Sequence, residues 1–122
     1  MRIYLAALYS RREEMEEHAN RIKQKGHEIT ARWVYGGEEG LSREDIALMD
    51  IEDVDRADIV ISFTHPRGFL TPGGGRHVEF GYALAKNKKL VIIGHFENIF
   101  HHMPNVELFE DLDTWLNNAK YG

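Results

Sequence analysis

Two short apolar runs constrain the fold of this chain more than any other feature. Ile59-Val-Ile-Ser-Phe63 and Leu90-Val-Ile-Ile93 are apolar at nearly every position, and helical patterns lie before, between and after them. Strands that are apolar on both faces and alternate with helices are typical of parallel sheets covered on both sides. We therefore predict an α/β fold: a single doubly wound, flavodoxin-like or Rossmann-like domain with four to five parallel strands and helices on both faces.

Local signals define the other elements. Capping sequences at Ser10 and Ser42 predict the first two helices, and Gly26 ends the first of them. We expect two further helices, over 75–86 and after Asp111. The expected strands cover residues 2–8, 27–34, 57–63, 90–93 and 106–109. The loops that follow the strands lie at the carboxyl edge of the sheet, where open α/β sheets bind ligands.

Composition excludes several classes of protein. The chain has 122 residues, which we interpret as one domain over 1–122, and its net charge of −5 argues against a nucleic-acid binder. No apolar run approaches the roughly 20 residues of a membrane span. The absence of cysteine excludes thiolate catalysis, disulfides and cysteine zinc sites, and it is compatible with a cytoplasmic location. We expect a small-molecule partner, with no nucleic acid and no membrane.

A glycine-rich segment leads into a helix that carries a carboxylate. Gly73, Gly74 and Gly75 precede Arg76, and Glu79 follows in what we expect to be the first helical turn. A helix start offers unpaired N–H groups and a positive dipole end, so we expect Glu79 to be ionised at neutral pH. It could act as a nucleophile or hold a hydroxyl. Alternatively, it serves only to complement the helix dipole.

Asp50 is a second carboxylate in an unusual position. On a helical wheel it lies between Ile46 and Val54 on an apolar arc, whereas Asp53 and other neighbouring acids are expected to face solvent or a border. Such a carboxylate costs free energy unless it is paired or functional. The structural alternative is that Asp50 accepts a bond from the backbone or an arginine. Two carboxylates directed at one sheet edge are typical of the acid and nucleophile of glycosyl transfer.

In its order of motifs, the chain resembles the nucleoside 2-deoxyribosyltransferase family, which includes deoxynucleoside 5′-monophosphate N-glycosidases. The resemblance covers residues 2–100. Arg2-Ile-Tyr-Leu-Ala-Ala7 is similar to the family's first strand, 49–58 to its aspartate helix, and Val78-Glu-Phe-Gly-Tyr-Ala83 to its glutamate signature. The resemblance implies that Glu79 is the nucleophile, that Asp50 is the active-site aspartate, and that Tyr4 positions the nucleophile.

The resemblance has one departure and one further implication. Gly73 stands where the transferases carry a sugar-binding aspartate and the glycosidases a phosphate-binding serine. The three glycines and Arg76 could instead hold a phosphate, or simply form a tight turn. Residues 97–100 resemble a segment that reaches into a neighbouring subunit, which implies a homo-oligomer, a dimer or higher, in which Asn98 completes the neighbour's site.

The apolar character of residues 94–103 independently favours a subunit interface. The alternative is that three of its side chains fold back onto their own sheet: Ile99, Phe100 and Met103.

These observations lead to a hypothesis of N-glycosidic bond cleavage or transfer on a (2-deoxy)nucleoside or its 5′-monophosphate. Glu79 would attack C1′, and Asp50 would protonate or orient the departing base. We expect no cofactor and no metal, because the histidines at 95, 101 and 102 lack a completing ligand set. Trp33, Tyr35 and Phe63 either stack on the base or pack in the core.

Two other classes of function remain open. The chain could be a non-catalytic nucleotide or ADP-ribose-type binding protein on the same fold, or a structural flavodoxin-like module. The sequence also leaves open the acceptor (water or a base), the identity of the base, and the choice between nucleoside and monophosphate. It does not say whether the sugar must lack its 2′-hydroxyl.

Overall fold

A five-stranded parallel sheet organises the structure, a computed structural model that describes residues 1–65 and 74–118. The strands are β1 (Arg2–Ala6), β2 (Glu28–Ile29), β3 (Ile59–Phe63), β4 (Lys89–Ile93) and β5 (Val106–Phe109). The α-helices are α1 (Arg12–Gln24), α2 (Arg43–Asp55), α3 (Gly75–Ala85) and α4 (Leu112–Leu116). Short 3₁₀ turns cover Tyr9–Arg11, Arg32–Tyr35 and Ile99–His102.

The strand order, β2-β1-β3-β4-β5, is that of a doubly wound sheet. All four strand pairs are parallel, and β1 lies between β2 and β3. After β1 the chain forms β2 on one side of β1, and it later returns to form β3 on the other side. The loops after β1 and β3 therefore diverge and leave a crevice at the carboxyl edge. The predicted α/β fold, with up to five parallel strands, is confirmed.

Helices cover both faces of the sheet. Arg21 of α1 forms an ion pair with Asp113 of α4, so these two helices share one face. On the other face α2 packs on α3, and the Tyr82 hydroxyl donates to Asp55 at 2.7 Å. This arrangement follows from right-handed crossover connections. The central strands β3 and β4 are buried over most of their length, as the two apolar runs predicted. None of the described helices is both long and apolar enough to cross a membrane.

Tertiary contacts shortened one predicted strand. The strand expected over 27–34 covers only Glu28–Ile29, and the chain then turns into the 3₁₀ segment Arg32–Tyr35. The indole N–H of Trp33 donates to the Leu5 carbonyl at 2.8 Å, and the Arg32 N–H donates to Asp53 at 3.0 Å. The alternating pattern was therefore wrong as a strand signal, because side-chain anchors hold these residues in a turn.

The cap predictions had mixed outcomes. Ser42 accepts the Asp45 N–H at 3.0 Å, and Asp111 accepts the Thr114 N–H at 2.8 Å, as expected. The predicted cap at Ser10 is wrong, since a 3₁₀ turn over Tyr9–Arg11 leads directly into α1 with no capping side chain. The sequence pattern also predicts that Ala119 faces inward on the last helix, and this residue lies outside the described residues.

Candidate active site

A cavity of about 240 Å³ lies at the carboxyl edge of the sheet, beside the end of β1. The end of β1, the loop after the second 3₁₀ turn, α2 and the start of α3 all contribute to it. Its lining residues are Ala7, Leu8, Tyr9, Trp33, Glu38, Asp50, Gly75, Arg76 and Glu79. The fold thus brings together Glu79, Asp50, Gly75 and Arg76, which are separated by up to 29 positions in the sequence.

Tyr4 supports Glu79 from inside the sheet. Its side chain is fully buried on β1, and its hydroxyl donates a short hydrogen bond to the Glu79 carboxylate. Burial and the neighbouring carboxylate raise the pKa of Tyr4 well above its usual value of 10.0. The phenol therefore keeps its proton and acts as a permanent donor to Glu79.

Glu79 does not have the environment that the sequence suggested. Since α3 begins at Gly75, Glu79 falls in its second turn, so the predicted first-turn position is wrong. Burial raises the pKa of Glu79 to about 8, with a further rise from Asp50, whereas the Tyr4 hydrogen bond lowers it. The expectation of an ionised Glu79 at neutral pH is therefore also wrong, because desolvation outweighs the favourable hydrogen bond.

Asp50 faces the same cavity with unmet hydrogen-bonding capacity. It is half-buried, and its Oδ1 has no hydrogen-bond partner among the described residues. Burial raises the pKa of Asp50 to about 6, and the charges of Glu38 and Asp53 add to the rise. In the free protein Asp50 therefore ionises before Glu79.

Asp53, and not Asp50, is the carboxylate that α2 buries in the protein interior. Its side chain is 0% exposed, so the expectation that it faces solvent or a border is wrong. It accepts hydrogen bonds from the backbone and guanidinium of Arg32 and, at 2.9 Å, from Arg56. A helical wheel could not reveal this pairing, because Arg32 comes from a distant turn.

Arg76 lines the cavity but is already paired. Its guanidinium forms a two-pronged ion pair with Glu97, and Glu97 also accepts the His65 N–H at 3.3 Å. No local pattern joins Arg76 to Glu97, since 21 residues separate them. Gly74 is exposed and Gly75 borders the cavity, whereas Gly73 lies outside the described residues. A phosphate-binding role for this segment remains a prediction.

Asn98 lies away from the cavity that contains Glu79. Its side chain accepts the Phe100 N–H at 2.9 Å, and its amide lies 3.5 Å from His77. It borders a second cavity, of about 340 Å³, against α3. Ile99 and Phe100 are 75% and 60% exposed, so the alternative in which they fold back onto their own sheet is wrong. Met103 is exposed as well.

Two cavity residues, Glu38 and Tyr9, were not singled out from the sequence. Glu38 belongs to a loop in which Gly36, Gly37 and Gly40 have positive φ angles. A carboxylate flanked by glycines at the expected ligand edge was the available signal. Tyr9 lies in the first 3₁₀ turn and borders the cavity beside Trp33.

The three histidines considered as metal ligands have other surroundings. His101 accepts the Glu97 N–H through Nδ1 at 3.0 Å, and His102 packs against Phe96. His95 lies in a separate groove, where its backbone N–H donates to Thr64 at 2.9 Å. Within 1–65 and 74–118, no three side chains of metal-ligating type form a group able to hold an ion.

Comparisons with known proteins place the fold. No family model and no curated protein sequence matches the chain. A CMP N-glycosidase structure from Clostridium botulinum matches with a TM-score of 0.65 and 22% identity, over 95% of each chain. A 2-deoxyribosyltransferase structure from Bacillus psychrosaccharolyticus matches with a TM-score of 0.72 and 22% identity, over 97% of this chain and 92% of that one. The family resemblance noted in the sequence is thus confirmed at the level of the fold, which this chain shares with a CMP N-glycosidase and a 2-deoxyribosyltransferase.

Proposed function

We propose that this protein cleaves or transfers the N-glycosidic bond of a (2-deoxy)nucleoside or its 5′-monophosphate, with Glu79 as the nucleophile. One observation carries the proposal: Glu79, oriented by Tyr4, borders the same cavity as the half-buried Asp50. Enzymes that catalyse glycosyl transfer commonly use two carboxyl groups of different pKa in one cavity. The fold shared with an N-glycosidase and a deoxyribosyltransferase supports the assignment.

In the proposed reaction the Glu79 carboxylate attacks C1′ and forms a glycosyl ester. The bond between C1′ and the base nitrogen breaks, its electron pair leaves with the base, and Asp50 supplies the proton. Water or a second base then attacks C1′, transfers a proton to the Asp50 carboxylate, and releases the Glu79 carboxylate. Tyr4 holds the Glu79 carboxylate at C1′ throughout.

The productive protonation state is the reverse of the one that the free protein favours. With pKa values of about 8 for Glu79 and about 6 for Asp50, the proton resides on Glu79. The positive charge that develops at C1′ stabilises the Glu79 carboxylate, and the Tyr4 hydrogen bond acts in the same direction. We expect a bell-shaped dependence of kcat/KM on pH, with limbs near pH 6 and pH 8.

The decisive experiment compares Glu79→Gln with the wild-type protein on a panel of nucleosides and monophosphates, with and without added free base. Released or exchanged base is measured by chromatography, and the glycosyl ester is sought by mass spectrometry after an acid quench. We expect Glu79→Gln to lose at least about a thousandfold in rate. Glu13→Gln, on an exposed face of α1, is the matched control and should keep full activity.

A non-catalytic nucleotide-binding protein is the second candidate. It is favoured by one observation, the raised pKa of Glu79, since a neutral carboxyl group can bind sugar hydroxyls without attacking them. In that case the wild-type protein and Glu79→Gln would both bind nucleotides, and neither would release a base.

We also propose that the protein is a homo-oligomer in which Asn98 reaches a neighbouring cavity, while Gly73–Gly75 and Arg76 contact the 5′ end of the substrate. The exposure of Ile99 and Phe100 beside Asn98 supports an interface there. Light scattering at micromolar concentration tests it. A monomer that turns over substrate would contradict the shared site.

A further inference from the structure

Beyond the reacting groups, the cavity contains an acceptor that no described residue satisfies. Glu38 is half-buried, and its carboxylate makes no hydrogen bond or ion pair with the residues described in 1–65 and 74–118. Its loop is shaped by glycines with positive φ angles, and the Leu41 N–H donates to the Glu38 carbonyl at 3.1 Å. The carboxylate therefore stays available to a ligand in the cavity.

The cavity wall beside Glu38 is aromatic, and the indole N–H of Trp33 in that wall is not available to a ligand. The rings of Tyr9 and Trp33 lie 6.3 Å apart at an angle of 38°. The Trp33 N–H is already engaged with the Leu5 carbonyl, so the indole contributes only its apolar surface. A planar heteroaromatic ring is the ligand type that fits an aromatic wall with a hydrogen-bonding group at its edge.

The charges around the cavity determine which ring edge fits. Among the described residues that line the cavity, Arg76 is the only cation, and Glu97 already neutralises it. Glu38 and Asp50 are both carboxyl groups, and Asp50 is committed to the proton transfer in the proposed reaction. A ring that presents a hydrogen-bond donor to Glu38 is therefore bound, whereas one that presents a carbonyl oxygen meets a like partial charge.

We propose that Glu38 selects substrates whose base carries an exocyclic amino group over those with a carbonyl at the same position. This inference rests on the proposed function and names the substrate class of that site. Cytosine and adenine carry such an amino group, and uracil and hypoxanthine are their oxo counterparts. A site that accepts from an amino group disfavours the oxo analogue, because the analogue's carbonyl oxygen leaves the half-buried Glu38 carboxylate without that donor.

The test measures kcat/KM for two matched pairs, deoxycytidine against deoxyuridine and deoxyadenosine against deoxyinosine, as nucleosides and as 5′-monophosphates. We expect the wild-type protein to prefer the amino member at least about tenfold. Glu38→Gln, which offers both a donor and an acceptor, should reduce that preference about tenfold. Glu39→Gln changes an exposed carboxylate on the same loop and should leave the preference unchanged. A preference near one in the wild-type protein, or an unchanged preference in Glu38→Gln, overturns the proposal.

A binding measurement separates this inference from the proposed function. Trp33 borders the cavity and Trp115 is fully buried in the core, so quenching of tryptophan fluorescence reports occupancy in Glu79→Gln. Preferential binding of amino nucleosides by that variant, without turnover by the wild-type protein, supports base selection and overturns the catalytic proposal. Equal turnover of both members by the wild-type protein supports the catalytic proposal and overturns base selection. If the protein neither binds nor turns over these nucleosides, both proposals are overturned.

Discussion

Asp50 and Asp53 lie one turn apart on α2 and have opposite environments. Asp53 is fully buried, and all the donors around it are aimed at its oxygens: the backbone and side chain of Arg32, and Arg56. Asp50 is only half-buried, yet its Oδ1 has no described partner, and the group borders an open cavity. The more deeply buried carboxylate is thus the better satisfied one.

The difference separates a structural carboxylate from one available for chemistry. Two guanidinium groups and a backbone N–H offset the desolvation of Asp53, and they tie α2 to the turn that follows β2. Within residues 1–65 and 74–118 no comparable set of donors surrounds Asp50, so burial raises its pKa to about 6 and leaves an acceptor for a ligand. The degree of burial does not show which of the two carboxylates is available for chemistry, whereas hydrogen-bond satisfaction does.

In the comparison of Asp50 with Asp53, the largest expected effect is the loss of catalysis in Asp50→Asn. The amide cannot supply a proton to the leaving base, so kcat/KM should fall about a hundredfold or more, near 3 kcal/mol in the barrier. Stability should be unchanged or slightly higher, because a half-buried charge is removed. Base-release assays and urea denaturation measure the two quantities. A variant that stays fully active but unfolds more easily would make Asp50 a structural residue like Asp53.

Asp53→Asn is expected to show the converse behaviour. It weakens the charge-assisted bonds to Arg32 and Arg56 and should lower the free energy of unfolding by about 2–3 kcal/mol. The protein that remains folded should keep most of its activity, since Asp53 does not border the cavity. Urea denaturation with kcat measured well below the transition tests both parts. A loss smaller than about 0.5 kcal/mol would show that the pairing is not structural.

The third prediction uses pH to compare Glu79 with a neutral isostere. The pKa of Glu79 in the folded protein, about 8, lies above its usual value of 4.5. The contribution of neutral Glu79 to the stability of the folded protein is therefore fully present below pH 4.5. That contribution is lost as pH rises through about 8. Glu79→Gln keeps an acceptor for Tyr4 and cannot ionise, so it should exceed the wild-type protein in stability by several kcal/mol at about pH 8.5.

At pH 4 the two proteins should be equally stable. Thermal unfolding across this pH range provides the measurement, with Glu13→Gln as an exposed control. A stability difference that does not change with pH would show that Glu79 is not desolvated.

The sequence predicted the elements whose signals are local. The apolar runs at Ile59–Phe63 and Leu90–Ile93, the caps at Ser42 and Asp111, and the helix after Gly75 all appear as expected. Of the strand expected over 27–34, only Glu28–Ile29 formed, and the rest of the alternating pattern leads into a turn anchored by Trp33 and Arg32. Anchors of that kind join residues far apart in the chain, so a local pattern does not contain them.

For the candidate site, the sequence by itself determined which chemical groups are present and which sheet edge they approach. Its strand and helix signals direct Glu79 and Asp50 to the carboxyl edge, because successive parallel strands all end there. Only the tertiary structure decided the protonation and the charge pairing of those groups. Burial, and not the helix dipole, governs the pKa of Glu79, Glu97 neutralises Arg76, and Arg32 and Arg56 pair with Asp53. Desolvation and charge pairing depend on distances in three dimensions, and the order of residues along a chain does not fix those distances.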